Sequence, residues 1–355
     1  MGGVVRVLIV DDSAYVRKVI KQMLSRSPFL EVVGAARDGL EALQLVEQLR
    51  PDVITLDLMM PELDGIAFLR EQMTRRPVPV VVVSIANDSS GLALAALDAG
   101  AVDVVQKPTA LATEKIFEIS DDLIAKVKAA ATIPQARLYS PQTPHEAASM
   151  SAALQAAVEQ TAIDIVVLGV STGGPQALKV LVPQLPATFP VPIAVVLHMP
   201  VGYTALYAQK LNDISQLHVI EAQEGDVLRP GVVLLAPAGR HLTFRRRYDG
   251  SIVAHLDTRP FDIPYRPSVD VLFRSAADIY QDRVLGIVMT GMGRDGKEGA
   301  AIIKKQGGLV FTEAEETCIV YGMPRSVVEA GLSDKRVRLE NMAQSILEVI
   351  QWQKS

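Results

Sequence analysis

The chain has 355 residues, of which 49% are hydrophobic and 21% charged, and its formal net charge is −5. This length favours two globular domains, and the acidic balance argues against a nucleic-acid partner. The single cysteine, Cys318, excludes an intramolecular disulfide and a cysteine-rich zinc site, and its apolar neighbours predict a buried thiol. Because no signal peptide and no apolar run near the ~20 residues of a membrane span are recognised, we expect a soluble cytoplasmic protein without membrane insertion.

In the first part of the chain, apolar β-branched runs alternate with amphipathic segments, which predicts strands separated by helices. The predicted strands are Val4 to Val10, Glu31 to Ala35, Val53 to Leu58, Val78 to Ile85 and Val102 to Val105. Continuous apolar runs are typical of strands buried on both faces. The first part therefore predicts a doubly wound, mostly parallel α/β sheet.

Polar and charged residues stand where these predicted strands end. Asp11 and Asp12 end the first strand and Asp57 ends the third, while Ser84 and Lys107 stand at the ends of the fourth and fifth. The carboxyl ends of parallel strands meet at one edge of a sheet, so these side chains are expected to converge. Three converging carboxylates repel one another unless a cation compensates them, and Mg²⁺ prefers such oxygen ligands. The pattern predicts a Mg²⁺ site beside a carboxylate that can carry a phosphoryl group.

This combination resembles the receiver domain of bacterial response regulators, with a flavodoxin-like fold, over residues 4 to about 127. The resemblance implies that Asp57, in the segment LDLMMPELDG, is the phosphoacceptor. It also implies that Mg²⁺ is bound by three carboxylates and one backbone carbonyl, those of Asp11, Asp12, Asp57 and Met59. Ser84 and Lys107 would contact the phosphoryl oxygens. Val104 stands where many receivers have an aromatic residue, so no aromatic switch is expected.

A change of composition marks the boundary between the two halves. An amphipathic segment from about Thr113 to Ala131 is followed by residues rich in Pro, Ser, Gln, Thr and Ala. We predict a first domain over residues 1–127, an interdomain linker over 128–160 and a second domain over 161–352. His145 falls in this linker and is expected to be solvent-exposed.

Strand-like runs resume in the second half and again alternate with helical segments. They are Ile163 to Val170, Val191 to Leu197, Val232 to Ala236, Val284 to Thr290 and Leu309 to Thr312. The segment LTFRRRYDGSIVAHLD predicts a β-hairpin that turns at Asp249 and Gly250. The second half therefore predicts another doubly wound, mostly parallel α/β domain, Rossmann-like in type.

The stretch GVSTGGPQAL follows the first of these strands and permits two interpretations, a phosphate-binding turn or a turn that presents a nucleophilic Ser171. A dinucleotide site requires an acidic residue after the second strand, but His198 stands there. A serine nucleophile requires a base and an orienting acid, for which His198 is favoured and His241 is the alternative base. Asp295, in the glycine-rich VMTGMGRDGKEG, is the predicted acid. This order of residues differs from that of lipase-type hydrolases.

Six segments together resemble the catalytic domain of the chemotaxis protein-glutamate methylesterases of the CheB family over residues 161 to about 350. They are GVSTGGPQAL, LHMP, APAGRH, PSVDVLFRSAA, TGMGRDG and YGMPRSV. The resemblance implies that Ser171 is the nucleophile, His198 the general base and Asp295 its orienting acid. The amide of Met292 would contribute to the oxyanion hole. Leu197 departs from the family, which usually has glutamine there.

The resemblance also implies a function. Glutamate γ-methyl esters on chemoreceptors would be hydrolysed with release of methanol during chemotaxis adaptation, and some members also deamidate receptor glutamines. A chemotaxis histidine kinase would phosphorylate Asp57, and the unphosphorylated receiver would cover the active-site face. The esterase site is expected to need no cofactor.

Three alternatives stand beside this expectation. A DNA-binding response regulator would require a basic recognition helix. A non-enzymatic scaffold would tolerate loss of Ser171. The same enzyme serving a chemosensory pathway other than motility stays open.

Overall fold

The computed structural model describes residues 3–84, 90–107, 113–138, 163–260, 263 and 265–351. The chain divides into two compact units, Met1–Pro141 and Gln142–Ser355. Residues 139–162, which include His145 and most of the predicted linker, lie outside the described residues.

The first unit is a parallel sheet with helices between its strands. Its elements are β1 (Val5–Val10), α1 (Ala14–Leu24), β2 (Leu30–Ala36), α2 (Gly39–Leu49), β3 (Val53–Leu56), α3 (Gly65–Arg75), β4 (Val80–Ser84), α4 (Ser90–Asp98), β5 (Asp103–Gln106) and α5 (Thr113–Ala131). The strand order is β2-β1-β3-β4-β5, and every neighbouring pair is parallel. The five predicted strands are confirmed with small shifts at their ends. Helix α5 continues to Ala131, so the predicted linker starts with helical residues.

Short polar side chains determine where three of these helices begin. Ser13, Asp38 and Asp64 each precede a helix and accept a hydrogen bond from the amide three residues further on, at 3.4, 2.8 and 2.8 Å respectively. Such a side chain satisfies one of the amide groups that the first helical turn leaves unpaired.

The second unit contains a larger parallel sheet and a separate hairpin. Its elements are β6 (Ile165–Val170), α6 (Gly174–Leu181), β7 (Ile193–Leu197), α7 (Thr204–Asp213), β8 (His218–Glu221), β9 (Val232–Leu235), β10 (His241–Arg246), β11 (Ile252–Asp257), α8 (Val269–Tyr280), β12 (Val284–Val288), α9 (Lys297–Lys305), β13 (Leu309–Glu313), α10 (Met323–Glu329), β14 (Lys335–Val337) and α11 (Leu339–Gln351). The 7-stranded sheet has the order β14-β13-β12-β6-β7-β9-β8. All its neighbouring strands are parallel.

The predicted hairpin is confirmed: β10 and β11 pair antiparallel, and Gly250 in the turn has φ of +86°. None of the helices in the described ranges is long and apolar enough to cross a membrane.

Strand β6 lies between β12 and β7, so the chain leaves β6 towards one side of the sheet and later returns on the other. At such a switch point the loops after neighbouring strands diverge and leave a crevice at the carboxyl edge of the sheet. The loops that begin at Ser171, His198 and Met289 therefore start side by side.

Helix α8 packs directly on β6. A Cβ atom at Gly169 would lie 2.3 Å from Cγ1 of Val269, so this close approach requires a residue without a side chain. Leu272 and Phe273 of the same helix are fully buried in the core of the unit. This packing brings the amino end of α8 to the carboxyl edge of the sheet, next to the crevice.

Candidate functional site

The predicted acidic pocket forms at the carboxyl edge of the first sheet. Asp11, Asp12 and Asp57 offer carboxylate oxygens within 4.8 Å of one another. Asp11 and Asp57 are buried and Asp12 is exposed. The Nζ atom of Lys107 lies 2.8 Å from Oδ2 of Asp57 and 2.9 Å from Oδ2 of Asp11. The adjacency of β1 and β3 produces this cluster, because it places their last residues side by side.

The charges in this pocket are only partly balanced. Burial raises the pKa of Asp11, and the negative charge of Asp57 adds to the rise, although Lys107 opposes it. Burial opposes ionisation of Lys107, yet its bonds to Asp57 and Asp11 raise its pKa, so the lysine is charged. Lys107 bonds to two of the three carboxyl groups, and this set of hard oxygen donors fits Mg²⁺.

The other predicted receiver residues occupy neighbouring positions. Ser84 is buried at the end of β4, and its carbonyl accepts the amide of Lys107 at 2.7 Å. Met59 lies in the loop after β3, and its side chain is exposed. Val104 is a buried residue of β5. The residues directly after Ser84, 85–89, lie outside the described ranges.

In the second unit, Ser171 follows β6 in a turn held by backbone hydrogen bonds from both neighbouring strands. Its amide donates to the carbonyl of Thr290 at 3.0 Å, and the amide of His198 donates to the carbonyl of Val170 at 3.1 Å. Gly173 has φ of +79°, which favours glycine, and Pro175 stands in the first turn of α6. The predicted nucleophile thus lies on a sharp strand-to-helix turn and is 7% exposed.

His198 and Asp295 are joined directly, with Nε2 of the imidazole 2.9 Å from Oδ2 of the carboxylate. The other ring nitrogen, Nδ1, is buried and has no hydrogen-bond partner in the described part of the chain. One face of the ring stacks on Tyr265, with centroids 4.6 Å apart and planes inclined by 14°. The imidazole is therefore held by an acid and by an aromatic ring, while Nδ1 is left for a further partner.

Asp295 accepts from three more donors besides His198. They are the hydroxyl of Ser268 at 2.9 Å and the amides of Val269 and Asp270 at 2.7 and 3.0 Å. The carboxylate thus caps the amino end of α8 as well as binding the imidazole. Burial opposes its ionisation, but the bond to His198 and these amides together lower the pKa of Asp295 to about 2. Since the carboxylate is ionised, Nε2 of His198 carries a proton and Nδ1 is the basic atom.

His241, the alternative base, occupies a different environment. It is the first residue of β10 and is fully buried. Burial lowers the pKa of its imidazole, so it is neutral. Within the described residues, the carboxylate of Asp295 bonds to His198 rather than to His241. The geometry favours His198 as the base.

The loop after β12 approaches the serine closely. The amide of Gly291 donates to Val320 at 3.0 Å, and its carbonyl accepts from Met323 at 2.8 Å, so its backbone is held from both sides. A Cβ atom at Gly291 would lie 2.8 Å from Cβ of Ser171. The amide of the next residue, Met292, makes no hydrogen bond to another described residue, so its place in an oxyanion hole stays a prediction.

We expect the Gly291→Ala variant to be impaired in both stability and activity. The added methyl group would meet Ser171 and also Sδ of Met323, at 2.5 Å. Overpacking of this kind costs roughly 1–3 kcal/mol, and displacement of the serine should reduce ester hydrolysis by about 100-fold. Thermal unfolding and the rate per folded molecule measure the two effects.

The matched control is Gly286→Ala, on the same side of the sheet but remote from the serine. Its methyl group would lie 2.7 Å from Cδ1 of Ile303, the end of a flexible side chain. This variant should lose stability without a selective loss of rate. Equal rates per folded molecule for the two variants would contradict the proposed close packing of Gly291 on the serine.

The segment PSVD, residues 267–270, makes contacts around Asp295 that the sequence did not predict. Ser268 bonds to Asp295, as described above. Asp270 accepts from the amides of Gly296 and Gly299 at 2.9 and 2.7 Å, and so caps α9. Burial raises the pKa of Asp270 to about 6, with a contribution from the charge of Asp295. A serine and an aspartate directly before an apolar periodic segment are a helix-start signal, but their link to Asp295 depends on a contact that no local pattern indicates.

Comparisons with known proteins match each of the two units to a protein family. Residues 7–118 match the response regulator receiver domain, and residues 166–346 match the CheB methylesterase domain. A protein-glutamate methylesterase/protein-glutamine glutaminase of Myxococcus xanthus (strain DK1622) is 51% identical over 95% of this chain and 96% of its own length. A protein of the same name from Symbiobacterium thermophilum is 42% identical over 98% of this chain and 97% of its own length. The crystal structure of the Thermotoga maritima CheB methylesterase catalytic domain covers 53% of this chain and 100% of its own, with 40% identity and a TM-score of 0.52.

Proposed function

The chain belongs to the CheB methylesterase family, as a hydrolase of the protein-glutamate methylesterase/protein-glutamine glutaminase type with a receiver domain, and we propose that it demethylates chemoreceptors under control of phosphorylation at Asp57. The substrates proposed are glutamate γ-methyl esters on the cytoplasmic helices of chemoreceptors. The observation that carries the esterase chemistry is the bond between His198 and an ionised Asp295. Both residues belong to loops at the carboxyl edge of the sheet, where Ser171 also lies.

The proposed reaction starts with proton transfer from Ser171 to Nδ1 of His198. Asp295 supports this step because it holds the proton on Nε2 and stabilises the imidazolium that forms. The serine oxygen then attacks the ester carbonyl, whose developing negative charge is stabilised by the amide of Met292. His198 then gives its proton to the departing methoxide oxygen, which leaves as methanol while the acyl-enzyme forms.

Water completes the turnover. His198 activates it for attack on the acyl-enzyme, which releases the glutamate side chain and the free serine. The same steps applied to a receptor glutamine would release ammonia, which is the proposed second activity. Amide hydrolysis is the harder of the two reactions because its leaving group is poorer.

The proposed switch is the acidic pocket of the first unit. Asp57 would accept a phosphoryl group from a chemotaxis histidine kinase, with Lys107 and Ser84 as contacts for its oxygens. Mg²⁺ held by Asp11, Asp12, Asp57 and the carbonyl of Met59 would neutralise charge on that group. The added charge of about −1.5 to −2 would release the catalytic domain from inhibition by the receiver.

We expect the Asp57→Asn variant to lose activation while it keeps its basal rate. Acetyl phosphate with Mg²⁺ should accelerate methanol release from methylated chemoreceptors by the wild-type protein, and chelation of Mg²⁺ should abolish the acceleration. The variant should not respond, because its amide cannot form the acyl phosphate. Ammonia release from unmethylated receptors, measured in the same samples, tests the second activity.

The matched control is Asp52→Asn, an exposed aspartate of the same domain that accepts the amide of Arg6 at 2.8 Å, away from the pocket. It should respond as the wild type does. Activation of Asp57→Asn by the phosphodonor would contradict the assignment of the phosphoacceptor. Absence of methanol release from every protein would refute the proposed substrate.

A further inference from the structure

Glu313 is a buried acid behind the esterase site. It is the last residue of β13 and is fully buried. Its Oε2 accepts the amide of Thr290 at 2.8 Å, whereas its Oε1 is buried and has no hydrogen-bond partner in the described part of the chain. An ionised carboxylate in the protein interior, with one amide donor and no cation bonded to it among the described residues, would be poorly compensated. The contacts therefore suit a neutral carboxylic acid.

Thr290, the partner of Glu313, joins the two loops of the active site. Its carbonyl accepts the amide of Ser171 at 3.0 Å. Its hydroxyl donates to the carbonyl of Thr172 at 2.9 Å and accepts the amide of Val320 at 3.0 Å. Val320 in turn accepts the amide of Gly291 at 3.0 Å. A shift of Thr290 would therefore move both the serine turn and the loop that presents Met292.

The described side chains that act on the carboxyl group of Glu313 are those of Thr317, Cys318 and Glu340, and none of them is a cation. Glu340, at the start of α11, is partly buried and bonds to Arg338 at 2.6 Å through Oε1. Cys318, after β13, contacts the backbone carbonyl of Glu313 through Sγ at 3.9 Å. Burial raises the pKa of Glu313 to about 7, against the opposing effect of the Thr290 amide and of the side chains of Thr317 and Cys318, and the charge of Glu340 adds to the rise. The carboxyl group thus changes its charge close to neutral pH.

We propose that Glu313 is a positioning residue for ester hydrolysis: as a neutral acid it holds Thr290, and through it the Ser171 and Gly291 loops, in the reactive arrangement, and its ionisation disrupts that arrangement. The inference rests on the proposed function for its effect on hydrolysis. The proposal predicts that activity declines on the alkaline side of the pH profile. There Glu313 ionises, and its buried charge, which Glu340 repels, would draw in water or move away from Thr290.

The test compares the wild type with Glu313→Gln in methanol release from methylated chemoreceptors across the pH range. The glutamine oxygen can still accept the Thr290 amide, but the side chain cannot ionise. At about pH 8.5 the wild type is expected to be on the order of ten-fold less active than Glu313→Gln, while the two agree below neutrality. Glu313→Ala removes the acceptor and should lose about ten-fold at every pH. Identical pH profiles for the wild type and Glu313→Gln would overturn the proposal.

Two further measurements separate this inference from its alternatives. The ¹⁵N shift of the Thr290 amide should titrate near neutral pH in the wild type and stay constant in Glu313→Gln, a readout that needs no substrate. A constant ¹⁵N shift in the wild type would overturn the proposal, whether or not the protein hydrolyses the ester. Absence of ester hydrolysis, by contrast, would refute only the proposed function. Cys318→Ala should keep the alkaline decline; its loss there would assign the decline to the thiol and overturn the role of Glu313.

Discussion

The Ser171→Ala variant is expected to lose ester hydrolysis by a factor on the order of 10⁶, the size of effect seen when a serine enzyme loses its nucleophile. The methyl side chain cannot form an acyl-enzyme, so only stabilisation of direct water attack by the oxyanion-binding amide would persist. The fold should be retained, because the contacts that hold this turn are made by the backbone of Ser171, whose amide bonds to Thr290 and whose carbonyl accepts Gly174. Methanol release from methylated chemoreceptors and thermal unfolding are the two measurements.

Ser215→Ala is the matched control for this variant. Ser215 donates to the carbonyl of Leu211 at 2.6 Å after α7 and lies outside the crevice. The control should hydrolyse the ester at the wild-type rate. A Ser171→Ala protein that is folded and retains comparable activity would exclude a serine nucleophile and, with it, the acyl-enzyme step.

The Asp295→Asn variant is expected to lose about 10⁴-fold in rate, the magnitude found for the corresponding change in a serine protease triad. The amide group would donate to Nε2 of His198, which then accepts, so the imidazole proton would move to Nδ1. Nδ1, the base in the proposed reaction, would become a donor and could not remove the serine proton. A steady-state comparison of kcat with the wild type measures the loss.

Asp270→Asn provides a closely matched control for this prediction. It removes a charge from a neighbouring, partly buried carboxyl group that also caps a helix, but that bonds to Gly296 and Gly299 rather than to His198. We expect lower stability with a much smaller loss of rate. Equal losses of rate in the two variants would show that the charge of Asp295 acts through helix capping and not through the imidazole.

Local patterns were sufficient to predict much of this protein. The apolar runs predicted both parallel sheets, because strands buried on both faces must be apolar at nearly every position. The hairpin followed from Asp249 and Gly250, because few residues adopt the backbone angles of a tight turn. The acidic pocket followed as well, since parallel strands place their last residues at a common edge.

Other features depend on contacts between distant parts of the chain. His198 and Asp295 are 97 residues apart and meet only because β6 lies between β7 and β12 in the sheet. Sequence alone left His241 open as an alternative base and could not distinguish the two nitrogens of the imidazole. The link from Glu313 to Thr290 had no signal in the sequence at all, since a single glutamate at a strand end is commonly exposed.

The difference between the features that the sequence predicts and those that only the tertiary structure decides has a physical basis. The type of each helix or strand is governed by backbone geometry and by the spacing of apolar residues, both of which can be recognised within a short window of sequence. The partner and protonation state of a buried group are governed by distances of a few ångströms between residues far apart in the chain, and by desolvation that depends on everything packed around them. GVSTGGPQAL therefore predicted a serine on a turn, whereas packing determined which nitrogen of His198 bonds to Asp295, which ring stacks on the imidazole, and which buried acid bonds to Thr290.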